Sequence, residues 1–275
     1  MIEETEAYGL TFRYPALDTA VGASLRDYGE FARPELDLML AYAEGASGTL
    51  VDVGAHVGTL LLPFAAARPG WRTIGIEAFY QMADLVREGA QRNAISNVEV
   101  FSVAAGEEAG VADFPAAELW FRGNFGRLGF NAEGMPGTRK VGVRPLDDIA
   151  PADTRLVKVD VEGFEPSVVR GARRLLRESR PLWLIETHRN ALADREAIAA
   201  VLAPEGYSLF WFFSPFATPA APKRQPEDPG KGDLGLVALP PGAPNLWNLP
   251  PAADLARPPS DSGEFPYLRL KYGYP

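Results

Sequence analysis

The chain has 275 residues, 47% apolar and 23% charged, enough apolar material for one core of domain size. Its net charge is −9, with 27 Lys and Arg scattered among 36 Asp and Glu, which excludes the clustered basic face a polynucleotide partner demands. The absence of cysteine excludes disulfides, thiolate metal sites and thiol nucleophiles.

Along the chain, the start Met1-Ile-Glu-Glu-Thr-Glu6 is acidic, unlike a basic-then-apolar signal peptide. No later stretch reaches the roughly 18 unbroken apolar residues of a membrane span. The expectation is a soluble, cytoplasmic protein with no membrane or nucleic-acid partner and a small-molecule acceptor; a homo-oligomer is left open. Residues 1–48 read as an N-terminal helical cap, with 34–44 its best helix. From 49 onward, strand and helix patterns alternate. Strands are expected at 49–53, 73–77, 98–103, 155–160 and 182–185, and helices at 57–67, 79–91 and 166–177. Pro63 inside the first of these helices is expected to cost a hydrogen bond and kink the axis. The segment 106–145 reads as a β-rich lid, and 207–213 and 234–239 as two last strands around a Pro-rich loop. The tail 240–275 is dense in Pro and reads as a surface wrap with little regular structure. Alternation of this kind makes a parallel sheet covered on both faces, with ligands outside the carboxyl ends of its strands.

The turn Val51-Asp-Val-Gly-Ala-His-Val-Gly58 joins the first such strand to the first helix. Gly54 and Gly58 permit a sharp turn and close approach to a ligand, or simply tight packing. Glu77 ends the second strand about 20 residues on, where an acid binds the two ribose hydroxyls of an adenosine cofactor. The cofactor can be a nicotinamide dinucleotide or S-adenosylmethionine. Asp52 beside the turn opposes a pyrophosphate and favours a methionine ammonium and a sulfonium.

These blocks, with Asn97-Val98, Leu146-Asp147-Asp148, Lys158-Val-Asp-Val-Glu-Gly163, Val169-Arg-Gly-Ala172 and Arg180-Pro-Leu-Trp-Leu-Ile-Glu-Thr-His188, resemble the FkbM family of S-adenosylmethionine-dependent methyltransferases. The resemblance spans roughly residues 49–239. It implies the class I methyltransferase fold, a Rossmann-like three-layer α/β sandwich. Its seven-stranded, mostly parallel sheet has an antiparallel last strand inserted between the fifth and sixth. It also implies methyl transfer to hydroxyl groups of natural products and sugars, or in some members to carboxyl groups, with S-adenosylhomocysteine as product. His56 stands where the family often has Asn, and Ala78 where it usually has Pro. Family position places Ser102, Val103 and Ala104 against the adenine, and Ala78 and Phe79 directly after the ribose-binding Glu77. Phe79 suits the buried face of the next helix equally well. His56 is expected at the methionine end or as a helix cap.

Lys158, Asp160 and Glu162 alternate, and a buried central strand rarely holds three charges. The run should leave the sheet at the ligand edge, as should Glu186 and His188 one strand later. A hydroxyl nucleophile must lose a proton. His188 is one candidate base and Asp160 or Glu162 another, and an enzyme without a dedicated base is the third reading. Asp160, Glu162, Glu186 and His188 also have the chemistry of a divalent metal site. The preferred reading has no metal: Lys158 pairs with one carboxylate, while Glu162 and Glu186 bind backbone N–H groups. Asp147 and Asp148 read as braces for the fourth strand. In the lid, Trp120, Phe121, Arg122, Asn124, Phe125 and Arg127 read as an acceptor clamp or a small core. A nicotinamide-dependent oxidoreductase and a non-catalytic scaffold are the competing functions.

Overall fold

The computed structural model describes residues 1–116, 119, 122–130 and 137–274. The apolar run Thr49–Val53 is buried on both faces and forms the strand β3, preceded by β1 (Ile2–Ala7), β2 (Leu10–Pro15), α1 (Val21–Tyr28) and α2 (Arg33–Tyr42). Then follow α3 (Leu61–Ala67), β4 (Arg72–Ile76), α4 (Tyr80–Arg92) and β5 (Val98–Phe101). The lid contributes β6 (Ala104–Ala105), β7 (Gly110–Pro115) and β8 (Thr138–Arg144). The chain continues through β9 (Thr154–Val159), α5 (Glu165–Arg170), β10 (Leu182–Thr187), α6 (Leu192–Leu202), β11 (Ser208–Pro215), β12 (Gly232–Leu239) and α7 (Pro266–Tyr272).

One seven-stranded sheet has the order β11-β12-β10-β9-β3-β4-β5. The pairs among β10, β9, β3, β4 and β5 are parallel. β12 runs antiparallel to both neighbours, β10 and β11. Alternate residues of the strands enter different cores. Leu50, Leu156 and Leu184 pack with α2 and Phe64, while Val51, Val157 and Ile185 pack with α5 and α6. That alternation makes three layers. The carboxyl ends of β3, β4, β5, β9 and β10 share one edge. Because β12 runs the other way, its beginning lies at that same edge.

Several expectations need correction. The helix expected at 57–67, α3, begins only at Leu61, so Pro63 is its third residue. A helix has no internal acceptor for its first N–H groups, so Pro63 removes no bond and forces no kink. The expected helix at 166–177 ends at Arg170 and resumes as a π-turn at Leu175–Ser179. Asp147 accepts hydrogen bonds from the N–H groups of Arg174 (2.7 Å) and Leu175 (3.0 Å) and so braces this resumed turn. β10 runs two residues beyond 185, so Glu186 lies within the strand, opposite Gly235, and does not leave it. Lys158 likewise stays inside β9.

The N-terminal residues hold a β-hairpin before the helices. The Pro-rich tail does more than wrap the surface. Trp247, Leu249, Phe265, Tyr267 and Tyr272 are buried in the core beside β11. Tyr267 Oη accepts from the N–H of Phe213 and donates to its carbonyl, at 2.8 and 2.5 Å. No helix among the described residues is long and apolar enough to cross a membrane.

Candidate functional site

A cavity of about 490 Å³ opens at the carboxyl edge of the sheet, within the range of small-molecule sites. Its first end is built by backbone. Gly54 has φ of 85°, and a Cβ there would lie 1.8 Å from the carbonyl oxygen of Asp160. Only glycine lets the turn after β3 rest on the loop after β9. Glu77 Oε2 accepts from the N–H of His56 at 2.9 Å, and Oε1 from the N–H of Phe79 at 2.8 Å. Both bonds fix the carboxyl group, and each oxygen keeps a second lone pair. Burial pushes the Glu77 pKa up to about 7, against the pull of these two N–H groups. Val103, Ala104 and Ala105 line the same end, with Phe79 stacked on the lid's Phe125 at 6.5 Å.

The second end is built by charge. Burial opposes charge on Lys158, yet Asp160, Glu35 and Asp52 hold its pKa well above the ordinary value. Its Nζ lies 2.9 Å from Asp160 Oδ2 and 3.8 Å from Glu35 Oε2. Burial works to raise Asp160, but Lys158 keeps it below the ordinary range. Burial pushes Asp52 up to about 6 and Glu35 up to about 8, with Lys158 pulling each back. Parallel pairing of β9 and β10 sets Leu184 beside Lys158, so two residues on, Glu186 stands beside Asp160. Burial and then the charges of Asp160, Asp233 and Glu162 raise the pKa of Glu186 far above the usual carboxylate range, and its carboxyl group shares a hydrogen bond with that of Asp160. Burial, with Asp160 and Glu162, pushes Asp233 up to about 7. His188 Nε2 is 3.3 Å from Glu162 Oε2, and its Nδ1 is 3.8 Å from Glu186 Oε1. The Glu162 contact raises the His188 pKa above its usual value.

The structure therefore brings Asp52, Gly54, His56, Glu77, Ala78, Phe79, Val103, Ala104, Asp160, Glu162, Glu186 and His188 to one cavity. Two expected residues lie outside its lining. Gly58 turns the chain, with φ of 83°, and packs on Leu62. Ser102 is exposed and accepts from Arg87 at 2.9 Å. His56 also lines the cavity. Both ring nitrogens are buried without a partner, Nε2 lying 4.0 Å from Asp18 Oδ2, and burial lowers its pKa. Of the lid residues, Asn124, Phe125 and Arg127 line the cavity, Arg122 is exposed, and Trp120 and Phe121 lie outside the described residues.

Sequence reasoning missed Glu35, Asp233 and the stacked pair Phe31–Phe216, whose ring centroids lie 5.1 Å apart. Asp233 carried a legible signal: it opens an apolar run that, in an antiparallel last strand, starts at the ligand edge. Glu35 carried none beyond its helix.

This strand order, with one antiparallel insertion and a ligand-sized cavity at the carboxyl edge, is the class I methyltransferase fold, a Rossmann-like sandwich. The family described as Methyltransferase FkbM domain matches residues 52–209, more than half of the chain, and the chain belongs to that family. Asp18, Phe31, Glu35, Phe216 and Asp233 lie outside the matched residues. Among solved structures, methyltransferase FkbM from Methylobacillus flagellatus KT is 24% identical with a TM-score of 0.48, over 70% of this chain and 43% of that one. The chain thus spans less than half the length of that relative. Precorrin-6y C5,15-methyltransferase from Geobacter metallireducens GS-15 is 14% identical with a TM-score of 0.46, over 74% of this chain and 86% of that one. M. jannaschii TYW2, solved in complex with AdoMet, is 14% identical with a TM-score of 0.44, over 86% and 84%. No curated protein matches the sequence significantly.

Proposed function

We propose that the chain is an S-adenosylmethionine-dependent O-methyltransferase acting on a hydroxyl group of a small molecule. The observation that carries this reading is Glu77. Its carboxyl group is fixed by two backbone N–H groups at one end of a cavity whose other end is acidic. Residues 49–239 are read as the methyltransferase domain, with residues 1–48 capping the acceptor end.

The residues present fit the cofactor. Glu77 has lone pairs left for a ribose diol. Val103, Ala104 and Phe79 offer a flat apolar slot for adenine. Asp52, Asp160 and Asp233 give the far end a negative field, which favours a net cation. A dinucleotide would set a second phosphate and its ribose against those same carboxylates, which counts against nicotinamide chemistry. When bound, S-adenosylmethionine supplies a methyl group on a positively charged sulfur.

The chain's own part is to position and to take a proton. Asp160 is engaged by Lys158, and both nitrogens of His188 face carboxylates. Asp233 lines the cavity on a rigid strand start and is the group we assign to receive the acceptor's proton. Phe31 and Phe216 wall the acceptor end. The test is incubation with methyl-labelled S-adenosylmethionine and a panel of small hydroxyl and carboxyl compounds. Label transfer to a hydroxyl compound, lost in Glu77→Ala, supports the reading. Transfer only to carboxyl compounds replaces the substrate class.

A further inference from the structure

Phe31, Phe130, Phe164 and Phe216 line the cavity and are half-buried, whereas Phe79, Phe114 and Phe125 are buried. The four form two pairs. Phe31 stacks on Phe216 with ring centroids 5.1 Å apart, and Phe130 lies 4.7 Å from Phe164. Phe216 follows β11 and Phe164 follows the end of β9, so β12 and β10 lie between the two pairs along the ligand edge. Asp233 near the start of β12, and Glu186 and His188 at the end of β10, occupy that interval. Three strand spacings separate β11 from β9, about 14 Å. The acids therefore floor a slot with an aromatic wall at each end.

Both walls are held by backbone. Tyr8 Oη donates to the carbonyl of Phe31 and accepts from its N–H, each at 2.8 Å. The N–H of Ala32 donates to the Phe216 carbonyl at 3.1 Å. At the other wall, the backbone N–H groups expected on Glu162 go to Glu165 instead. Glu165 accepts from Val161 at 2.9 Å and from Gly163 at 3.0 Å, and so holds the loop that carries Phe164. Glu186, also expected on backbone, shares its hydrogen bond with Asp160. The lid rests on the same loop: a Cβ at Gly129 would lie 2.6 Å from the Glu162 carbonyl oxygen. Aromatic faces fixed in this way suit a flat apolar ring.

Other acceptor classes fit less well. A sugar needs partners for several hydroxyls at once. The lining has three neutral polar side chains, Thr19, Thr59 and Asn124, and Asn124 already accepts from the N–H of Gly126. An anionic acceptor would lie over Asp160, Glu162 and Asp233, whose charges already oppose one another. Lys231, exposed over the Phe216 ring at 5.7 Å, is the countervailing charge, and a carboxylated probe tests it. Burial and its acid neighbours push Asp233 up to about 7. A phenol, at about 10, gives such a base its proton far more readily than an aliphatic hydroxyl, nearer water's value of about 16. We propose that the acceptor is an uncharged phenol of two or three fused rings, lying between the Phe31–Phe216 and Phe130–Phe164 pairs with its hydroxyl at Asp233. This rests on the methyl-transfer reading. The phenolic oxygen passes its proton to Asp233 and its electron pair to the methyl carbon. The carbon–sulfur bond breaks, and its electron pair stays on sulfur.

The test titrates the full chain, saturated with S-adenosylhomocysteine, with 2-naphthol, 6-hydroxy-2-naphthoate and methyl glucoside, read by calorimetry at neutral pH. 2-Naphthol is expected to bind at one site per chain, at least about tenfold tighter than the naphthoate, and the glucoside not at all. Phe31→Ala and Phe164→Ala should each weaken 2-naphthol by about fivefold or more. Their S-adenosylhomocysteine affinity should change less than about twofold, which also reports that they are folded. With methyl-labelled S-adenosylmethionine, 2-naphthol should yield its methyl ether. Four results overturn the proposal while S-adenosylhomocysteine still binds: no binding of 2-naphthol, equal or tighter binding of the naphthoate or the glucoside, binding unchanged in both variants, or no methyl ether. Failure of S-adenosylhomocysteine itself to bind removes the methyl-transfer reading, and the proposal with it.

Discussion

The two ends of the cavity hold their groups by different means. At the Glu77 end, backbone does the holding: N–H groups of His56 and Phe79 fix the carboxyl group, and Gly54 fits because it has no side chain. At the Asp233 end, side-chain charges hold one another: Lys158 on Asp160, His188 on Glu162, and uncompensated acids around them. The first end lies within residues 52–209, where the family matches. The second draws Phe31, Glu35, Phe216 and Asp233 from outside that span. A backbone-held end tolerates little change and suits one invariant ligand. An end built from side chains on the cap and the β11–β12 connection can vary its acceptor without disturbing the sheet.

Two pairs of substitutions, then a change of pH and one last substitution, probe the difference between the ends, in falling order of effect. Gly54→Ala should be the most damaging, because its Cβ meets a backbone carbonyl that cannot move aside and φ is positive. A loss of about 3 kcal/mol or more of unfolding free energy is expected. Gly58→Ala meets only side chains, Leu62 at 2.9 Å and Val86 at 3.4 Å, and should cost about 1–2 kcal/mol. Chemical denaturation of both variants checks the pair. Next, Asp233→Asn should lower methyl transfer by about 100-fold or more while changing S-adenosylhomocysteine affinity less than about threefold. Glu77→Gln should do the reverse to binding, weakening it by roughly tenfold to 100-fold.

After the two pairs comes pH. Burial raises Asp52 to about 6 and Glu77 to about 7, so the folded chain holds these protons more tightly than the unfolded one. Their contribution to stability is present at low pH and is lost as pH rises through those values. The melting temperature of the ligand-free protein should fall between about pH 5 and about pH 8. S-adenosylmethionine, a net cation, should bind more tightly across the same window and release protons. Calorimetry in buffers of different ionisation enthalpy reads that release. Smallest is Phe216→Ala, which removes a stacked pair worth about 0.5–1.5 kcal/mol. It should raise the acceptor KM and leave S-adenosylhomocysteine affinity unchanged.

Much of the backbone-built end was legible in the sequence. Thr49–Val53 and its neighbours are short, β-branched and apolar, so their strands fall within a residue or two of expectation. Glu77 and Asp160 stand out as acids where such runs stop. Gly58 misled because a left-handed turn needs glycine whether or not a ligand is near. Ser102 misled because its strand ends at Phe101, and the chain turns before Ala104. The charge-built end was largely hidden. Glu35 and Asp233 lie far apart in sequence and meet only through the packing of α2 and β12 on the sheet. The tail was obscured by its prolines, which drew attention from Trp247, Phe265 and Tyr267, the residues that bury it. Glu165 escaped notice beside Glu162, although it is the one that holds the loop.

A cavity that takes S-adenosylmethionine must also hold its demethylated product. The full chain is therefore titrated by calorimetry with S-adenosylhomocysteine and, separately, with NAD. One S-adenosylhomocysteine site per chain, lost in Glu77→Ala, is expected, with no heat from NAD. Binding of NAD with none of S-adenosylhomocysteine would contradict it.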